Sequence, residues 1–100
     1  MEQYRKLVRD KIPAHLESKG IPHEMHQADA EEYRSELIKK LSEETLEFSE
    51  EGAVEELADV LEVIDALRAL PEYQDVLEVQ RKKREEKGGF TERFIVQGEK

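Results

Sequence analysis

From Asp29 to Pro71 the apolar residues recur with a helical period, and the single glycine in that stretch, Gly52, interrupts them. Glycine takes the left-handed conformation that ends a helix without steric cost, so the spacing predicts two helices folded back on each other. Acids are set into both apolar stripes. On a helical wheel with Tyr33 at zero, Leu37, Phe48 and Leu41 lie at about 40°, 60° and 80°, and Glu44 falls among them at about 20°. Glu47 lies at the stripe's edge, at about 320°. With Val54 at zero, the apolar residues of the second helix fill an arc from about 160° to about 340°. Glu56 falls inside that arc at about 200°, and Asp59 borders it at about 140°. Residues equidistant from the turn of an antiparallel helix pair meet at the same height. Glu47 stands five residues before Gly52 and Glu56 four after it; Glu44 stands eight before and Asp59 seven after. The four carboxylates are expected to converge in one seam.

Buried anions without partners are strongly unfavourable, and such groups neutralise or find a cation. Four together invite a hard divalent ion with oxygen ligands, Mg²⁺ or Mn²⁺ ahead of Zn²⁺, because the chain has no cysteine and no histidine near the seam. The competing explanation is compositional: with 25 acids in 100 residues, some point inward by chance.

One hundred residues predict a single small domain, 1–100. Hydrophobic content is 37% and charged content 41%, polar for a globular chain, yet the periodicity argues against disorder. The apolar arc of the second helix is wider than one neighbouring helix covers, which predicts a homo-oligomer, dimer or tetramer. Absence of cysteine fits the cytosol, and no apolar run suits a signal peptide or a membrane span, so a soluble cytoplasmic protein is expected. Charge is divided unevenly. Asp29 to Glu78 holds seventeen acids and four bases, a local charge of −13; Arg81 to Phe94 holds six bases and three acids, +3. Met1 to Lys11, with four bases and two acids, carries +2. An acidic body with basic ends is a poor match for a protein that binds a nucleic-acid duplex, which needs a continuous basic face. It suits a site where acids hold a metal and bases hold the phosphates that the metal bridges.

The predicted fold is all-α, four helices around the central antiparallel hairpin. Pro13 belongs in the first turn of a short helix from Lys11 to Lys19 ended by Gly20. Ile21 to Gln27 reads as a loop or short edge strand. Asp29 and Glu32 form a capping box for a helix from Ala30 to Glu51. The next helix runs from Ala53 to Leu70, because proline disfavours helix at the residue before it. A fourth begins at Pro71 and continues to Lys87, closed by Gly88 and Gly89. Phe90 to Val96 could form a short strand paired with residues 21–27.

The pattern Glu43-Glu44-x-x-Glu47 followed by Glu56-x-x-Asp59, on consecutive helices of a small helical chain, resembles the MazG-like nucleoside triphosphate pyrophosphohydrolases. That superfamily also contains the dimeric dUTPases and phosphoribosyl-ATP pyrophosphohydrolase. Lys6-Leu7-Val8-Arg9-Asp10-Lys11-Ile12-Pro13 looks like the opening of its short members, and Lys82-Lys83-Arg84-Glu85-Glu86-Lys87-Gly88-Gly89-Phe90 like their C-terminal signature. Together these cover nearly the whole chain. One departure is the interval between the acidic motifs, only Phe48 to Glu55, where most of the superfamily has more residues. The resemblance implies hydrolysis of a nucleoside triphosphate between its α and β phosphates, with Mg²⁺ or Mn²⁺ as cofactor. It implies Glu44, Glu47, Glu56 and Asp59 as metal ligands. Glu43, about 40° from Glu47 on the wheel, would be a water-orienting base. Lys6, Arg9, Lys11, Lys83, Arg84 and Lys87 are candidates to neutralise the pyrophosphate, and each of them could equally be a solvated surface base.

His23 and His26 supply two of the four ligands a structural zinc needs, too few by themselves. Tyr4, Phe90 and Phe94 could stack on a base, although packing is the commoner role of aromatics. Two alternatives to a house-cleaning nucleotidase stand beside it. One keeps the fold and takes phosphoribosyl-ATP as substrate; the other is a non-enzymatic helical assembly protein solvated by its acids.

Overall fold

The Asp29 side chain accepts a hydrogen bond from the Glu32 backbone N–H at 2.9 Å and so starts the longest helix of the chain. The protein's structure, a computed structural model, describes residues 4–99. Its described residues are all-helical: α1 (Ile12–Ser18), α2 (Ala30–Glu51), α3 (Val54–Arg68), a 3₁₀ turn (Pro71–Tyr73) and α4 (Val76–Lys87). Only half of the predicted capping box forms. The Glu32 carboxylate turns away from the Asp29 N–H and pairs with Arg5 and His26 instead. At the other end Gly52 adopts φ +64° and donates its N–H to the Phe48 carbonyl oxygen at 2.7 Å. α3 follows after one residue and packs antiparallel along α2, giving the predicted hairpin. The hairpin's buried apolar residues are Leu37 of α2 and Val60 and Val63 of α3.

The boundaries of the other elements shift. α3 ends at Arg68, because Leu70 takes the extended conformation that a following proline imposes. Pro71 opens the 3₁₀ turn and not α4, which begins five residues later at Val76. That turn is held against α2: Arg34 Nε donates to the Tyr73 hydroxyl at 3.0 Å, and the guanidinium lies 5.7 Å from the ring centroid. α1 occupies Ile12–Ser18, with Pro13 in its first turn and Gly20 at φ +66° just beyond.

Of the two readings of residues 21–27 the loop is the one that forms, and the possible strand at 90–96 is absent. No backbone hydrogen bond joins residues 21–27 to residues 90–96 among those described, and neither segment has another strand beside it. A strand gains its stability from a paired neighbour; Pro22 removes a donor, and both segments stay irregular.

The N-terminal segment runs without helix across the hairpin. Arg5 donates to Glu36 at 2.8 Å and also to Glu32, Leu7 and Val8 are half-buried, and Arg9 reaches α3. α4, by contrast, is exposed at every residue. The Cα radius of gyration is 18.0 Å. A compact domain of this length has about 13 Å. The chain is extended.

Candidate functional site

Glu44 is the one buried charged residue among those described, at 8% exposure, and it lies on the face of α2 that meets α3. Its Oε2 is sealed from solvent and has no hydrogen-bond partner. Across the hairpin, Glu56 of α3 repeats the condition: its Oε2 is also sealed and without a partner. Two unpartnered carboxylate oxygens on facing helices are costly, since each buried charged acceptor left unpaired loses its hydration without return. The helical wheel anticipated both, because each acid sits inside an apolar arc.

The surroundings of Glu44 carry the electrostatics of the site. Burial pushes its carboxyl above the ordinary glutamate range, and the neighbouring charges of Glu47 and, less strongly, Asp59 push it the same way. Lys40 opposes the shift. Its ammonium lies 3.5 Å from Glu44 Oε1 and 3.7 Å from Glu43, one helical turn away on α2. Lys40 was not singled out in the sequence; its only signal is the i,i+4 spacing to Glu44, which many surface pairs share.

The remaining acids are placed differently. Asp59 is half-buried at the border of the α3 arc, and Arg9 Nη2 donates to its Oδ1 at 2.7 Å. Glu47, at the edge of its stripe, is exposed. Glu43 is exposed and engaged only by Lys40. The expected convergence is therefore graded: Glu44 and Glu56 face inward, Asp59 is held by an arginine, and Glu47 points to solvent. Among the described residues no three acids or histidines stand in a ready-made metal-binding cluster. The donor set nonetheless suits a hard divalent ion, because two buried oxygens on opposite helices lack any other partner.

Of the six bases expected near phosphate, Arg9 alone pairs with one of the four carboxylates. Lys6 is exposed with its ammonium 5.8 Å from the Tyr4 ring, and Lys11 is exposed at the start of α1. Lys83, Arg84 and Lys87 lie exposed on α4, with no ion pair to α2 or α3 among the described residues. The histidines serve local structure. His23 Nδ1 is hydrogen-bonded to the Ile21 carbonyl oxygen, and His26 Nε2 lies 2.9 Å from Glu32, at the far end of α2 from Gly52. Phe90 and Phe94 pack on nothing, being 98% and 83% exposed.

No helix among the described residues is long and apolar enough to cross a membrane. Comparison with known proteins finds no matching family model, curated protein or solved structure.

Proposed function

We propose that the protein is a metal-dependent nucleoside triphosphate pyrophosphohydrolase of the MazG-like kind, a cytoplasmic homo-oligomer that releases a nucleoside monophosphate and pyrophosphate. The observation that carries the reading is the pair of sealed, unpartnered oxygens of Glu44 and Glu56 on facing helices. A helical scaffold has no use for such a pair on its apolar seam, where two leucines would stabilise it better.

Glu44, Glu47, Glu56 and Asp59 are the residues that would hold the ion, Mg²⁺ with Mn²⁺ as a substitute. A divalent ion there would supply Lewis-acid chemistry, stabilising charge on a phosphoryl group and making an attacking water more acidic. The chain's own groups do the rest. Asp59 becomes available when Arg9 moves from its carboxylate to a phosphate, which offers the guanidinium a stronger, bidentate acceptor. Glu43, exposed beside the seam, accepts a hydrogen bond from the attacking water and orients it toward phosphorus, opposite the leaving oxygen. Arg9, Lys6 and Lys11 on one side, and the bases of α4 on another, neutralise the charge that accumulates on pyrophosphate.

The test is a panel of ordinary and damaged nucleoside triphosphates, together with phosphoribosyl-ATP, incubated with Mg²⁺, with monophosphate and pyrophosphate quantified separately. Equimolar release of both products from at least one substrate is expected, abolished by chelation. Release of orthophosphate, or no turnover across the panel, would overturn the proposal.

A further inference from the structure

The irregular segment that crosses the hairpin is fastened at two points. Residues 4–9 contain no helix. Arg5 donates to Glu36 at 2.8 Å and also to Glu32, both on α2, and Arg9 donates to Asp59 on α3 at 2.7 Å. Between the two arginines, Leu7 and Val8 are half-buried. The spacing fits the hairpin. By distance from the turn Asp59 stands level with Glu44, and Glu36 lies eight residues from Glu44, about 12 Å of helix. Four residues of extended chain, from Arg5 to Arg9, reach about 13 Å. The segment therefore lies along the hairpin, from the start of α2 to the level of the acidic seam.

The two fastenings are unequal. Arg5 meets two carboxylates, and the Glu36 side chain is only 13% exposed. The Arg5 guanidinium holds the Glu36 carboxyl below the ordinary glutamate range. Arg9 meets one carboxylate, Asp59, whose side chain is 41% exposed, and its own is 57% exposed. An ion pair so open to water is weak, whereas a partly shielded one is screened less. The Arg5 end is the anchor, and the Arg9 end is the one that lets go. The anchor also strengthens the weaker end, because a tethered guanidinium is presented to Asp59 at a high effective concentration.

The neighbouring acids decide what Arg9 competes with. Glu44 Oε2 and Glu56 Oε2 are sealed and without partners, while Asp59, beside them in the seam, already has a cation. A divalent ion that takes the two sealed oxygens needs further oxygen ligands, and Arg9 occupies the next one. We propose that residues 4–9 form a strap that competes with a divalent ion for Asp59: anchored by Arg5 on Glu32 and Glu36, it keeps Arg9 on that carboxylate until the ion displaces it. A ligand that draws Arg9 away then tightens the binding of the ion, and the ion in turn frees Arg9 for that ligand, since coupling between two sites is reciprocal. A phosphate-class anion, which accepts a guanidinium in bidentate fashion, is the chemistry that fits. The strap makes uptake of cation and anion cooperative within one chain. This inference rests on the reading of the seam as a cation site.

The probe is Mn²⁺ alone, counted by the paramagnetic resonance signal of the free ion in titrations of wild type, Arg9→Gln, Arg5→Gln and the double variant. Arg5 and Arg9 are exposed, and all four proteins are expected to show the same helicity. Arg9→Gln is expected to bind Mn²⁺ about three- to fivefold more tightly, the scale of one exposed ion pair removed. Arg5→Gln is expected to gain less, and the double variant no more than Arg9→Gln, because Arg5 acts only through Arg9. Equal affinity in wild type and Arg9→Gln would overturn the strap and leave the cation site standing. Independent, additive gains would reduce the two arginines to a diffuse field and overturn the strap as well. If none of the four proteins takes up Mn²⁺, the cation site itself falls, and the strap with it. Wild type gives a second reading. Mg²⁺ is expected to speed tryptic cleavage after Lys6, whereas a ligand that merely stabilises the fold slows cleavage. Slower or unchanged cleavage there would overturn the strap.

Discussion

At the residue scale, the seam is a place where folding and function pull in opposite directions. A carboxyl whose value is raised on folding binds its proton more tightly in the native state than in the unfolded chain. The penalty from Glu44 is therefore absent below the ordinary value of 4.5, grows as the pH rises through the raised folded value, and is fully present above it. Glu36 has the opposite sign. Arg5 holds its carboxyl below the same ordinary value, so the stability it contributes is present above 4.5 and is lost as pH falls through the depressed folded value. Melting curves in a chelator from pH 3 to pH 8 separate the two. Glu44→Gln is expected to melt above wild type near neutral pH, with the advantage shrinking to nothing in acid. A gain on the order of 1 kcal/mol, several degrees in a chain of this length, is the expected scale. Glu36→Gln is expected to melt below wild type near neutral pH and to converge with it in acid. A Glu44→Gln advantage that grew in acid would contradict the burial argument.

At the scale of the element, legibility followed local signals. α2 runs from Ala30 to Glu51 as its sequence predicts, because Asp29 caps one end and Gly52 closes the other. Nothing approaches within 4 Å of a Cβ placed on Gly52, so the requirement there is the backbone's alone. Gly52→Ala is expected to destabilise the hairpin by about 1–2 kcal/mol, and Gly52→Asn by less, since asparagine tolerates the left-handed region. Thermal denaturation of the two variants checks this; equal stability for alanine and glycine would remove the turn from the account. Elements that depend on a distant partner were not legible in the same way. Short strands at 21–27 and 90–96 were possible only if the two segments paired, and no local rule records whether two such segments meet. Pro71 marks a helix start in sequence, yet the contacts of Tyr73 with Arg34 hold it in a 3₁₀ turn. In the site, periodicity revealed Glu44 and Glu56 because burial in an amphipathic helix is a local property. The pairing of Arg9 with Asp59 spans fifty residues of sequence and leaves no periodic trace. Glu47 illustrates the limit of the wheel: a residue at the edge of an arc can turn either way, and here it turns out.

At the scale of the molecule, the hairpin combines inward-facing carboxylate oxygens of Glu44 and Glu56 with apolar residues of α3 that stand exposed. A divalent ion bound at those carboxylates would stabilise the native state by mass action. Mg²⁺ or Mn²⁺ is expected to raise the melting temperature of wild type clearly more than that of Glu56→Gln, and equal shifts would remove the metal from the account. The chemistry asks for a sharper measurement. Asp59→Asn preserves the size of the side chain and weakens its oxygen as a donor to a hard cation. Glu62, on the exposed side of α3, serves as its control. Steady-state hydrolysis of the best nucleoside triphosphate should show Asp59→Asn losing at least about a hundredfold in kcat/KM, more than ~2.7 kcal/mol of transition-state stabilisation. The Glu62→Gln control should stay near wild type, and both variants should keep their fold. Wild-type rates in Asp59→Asn, or wild-type turnover that survives complete chelation of divalent ions, would contradict the account.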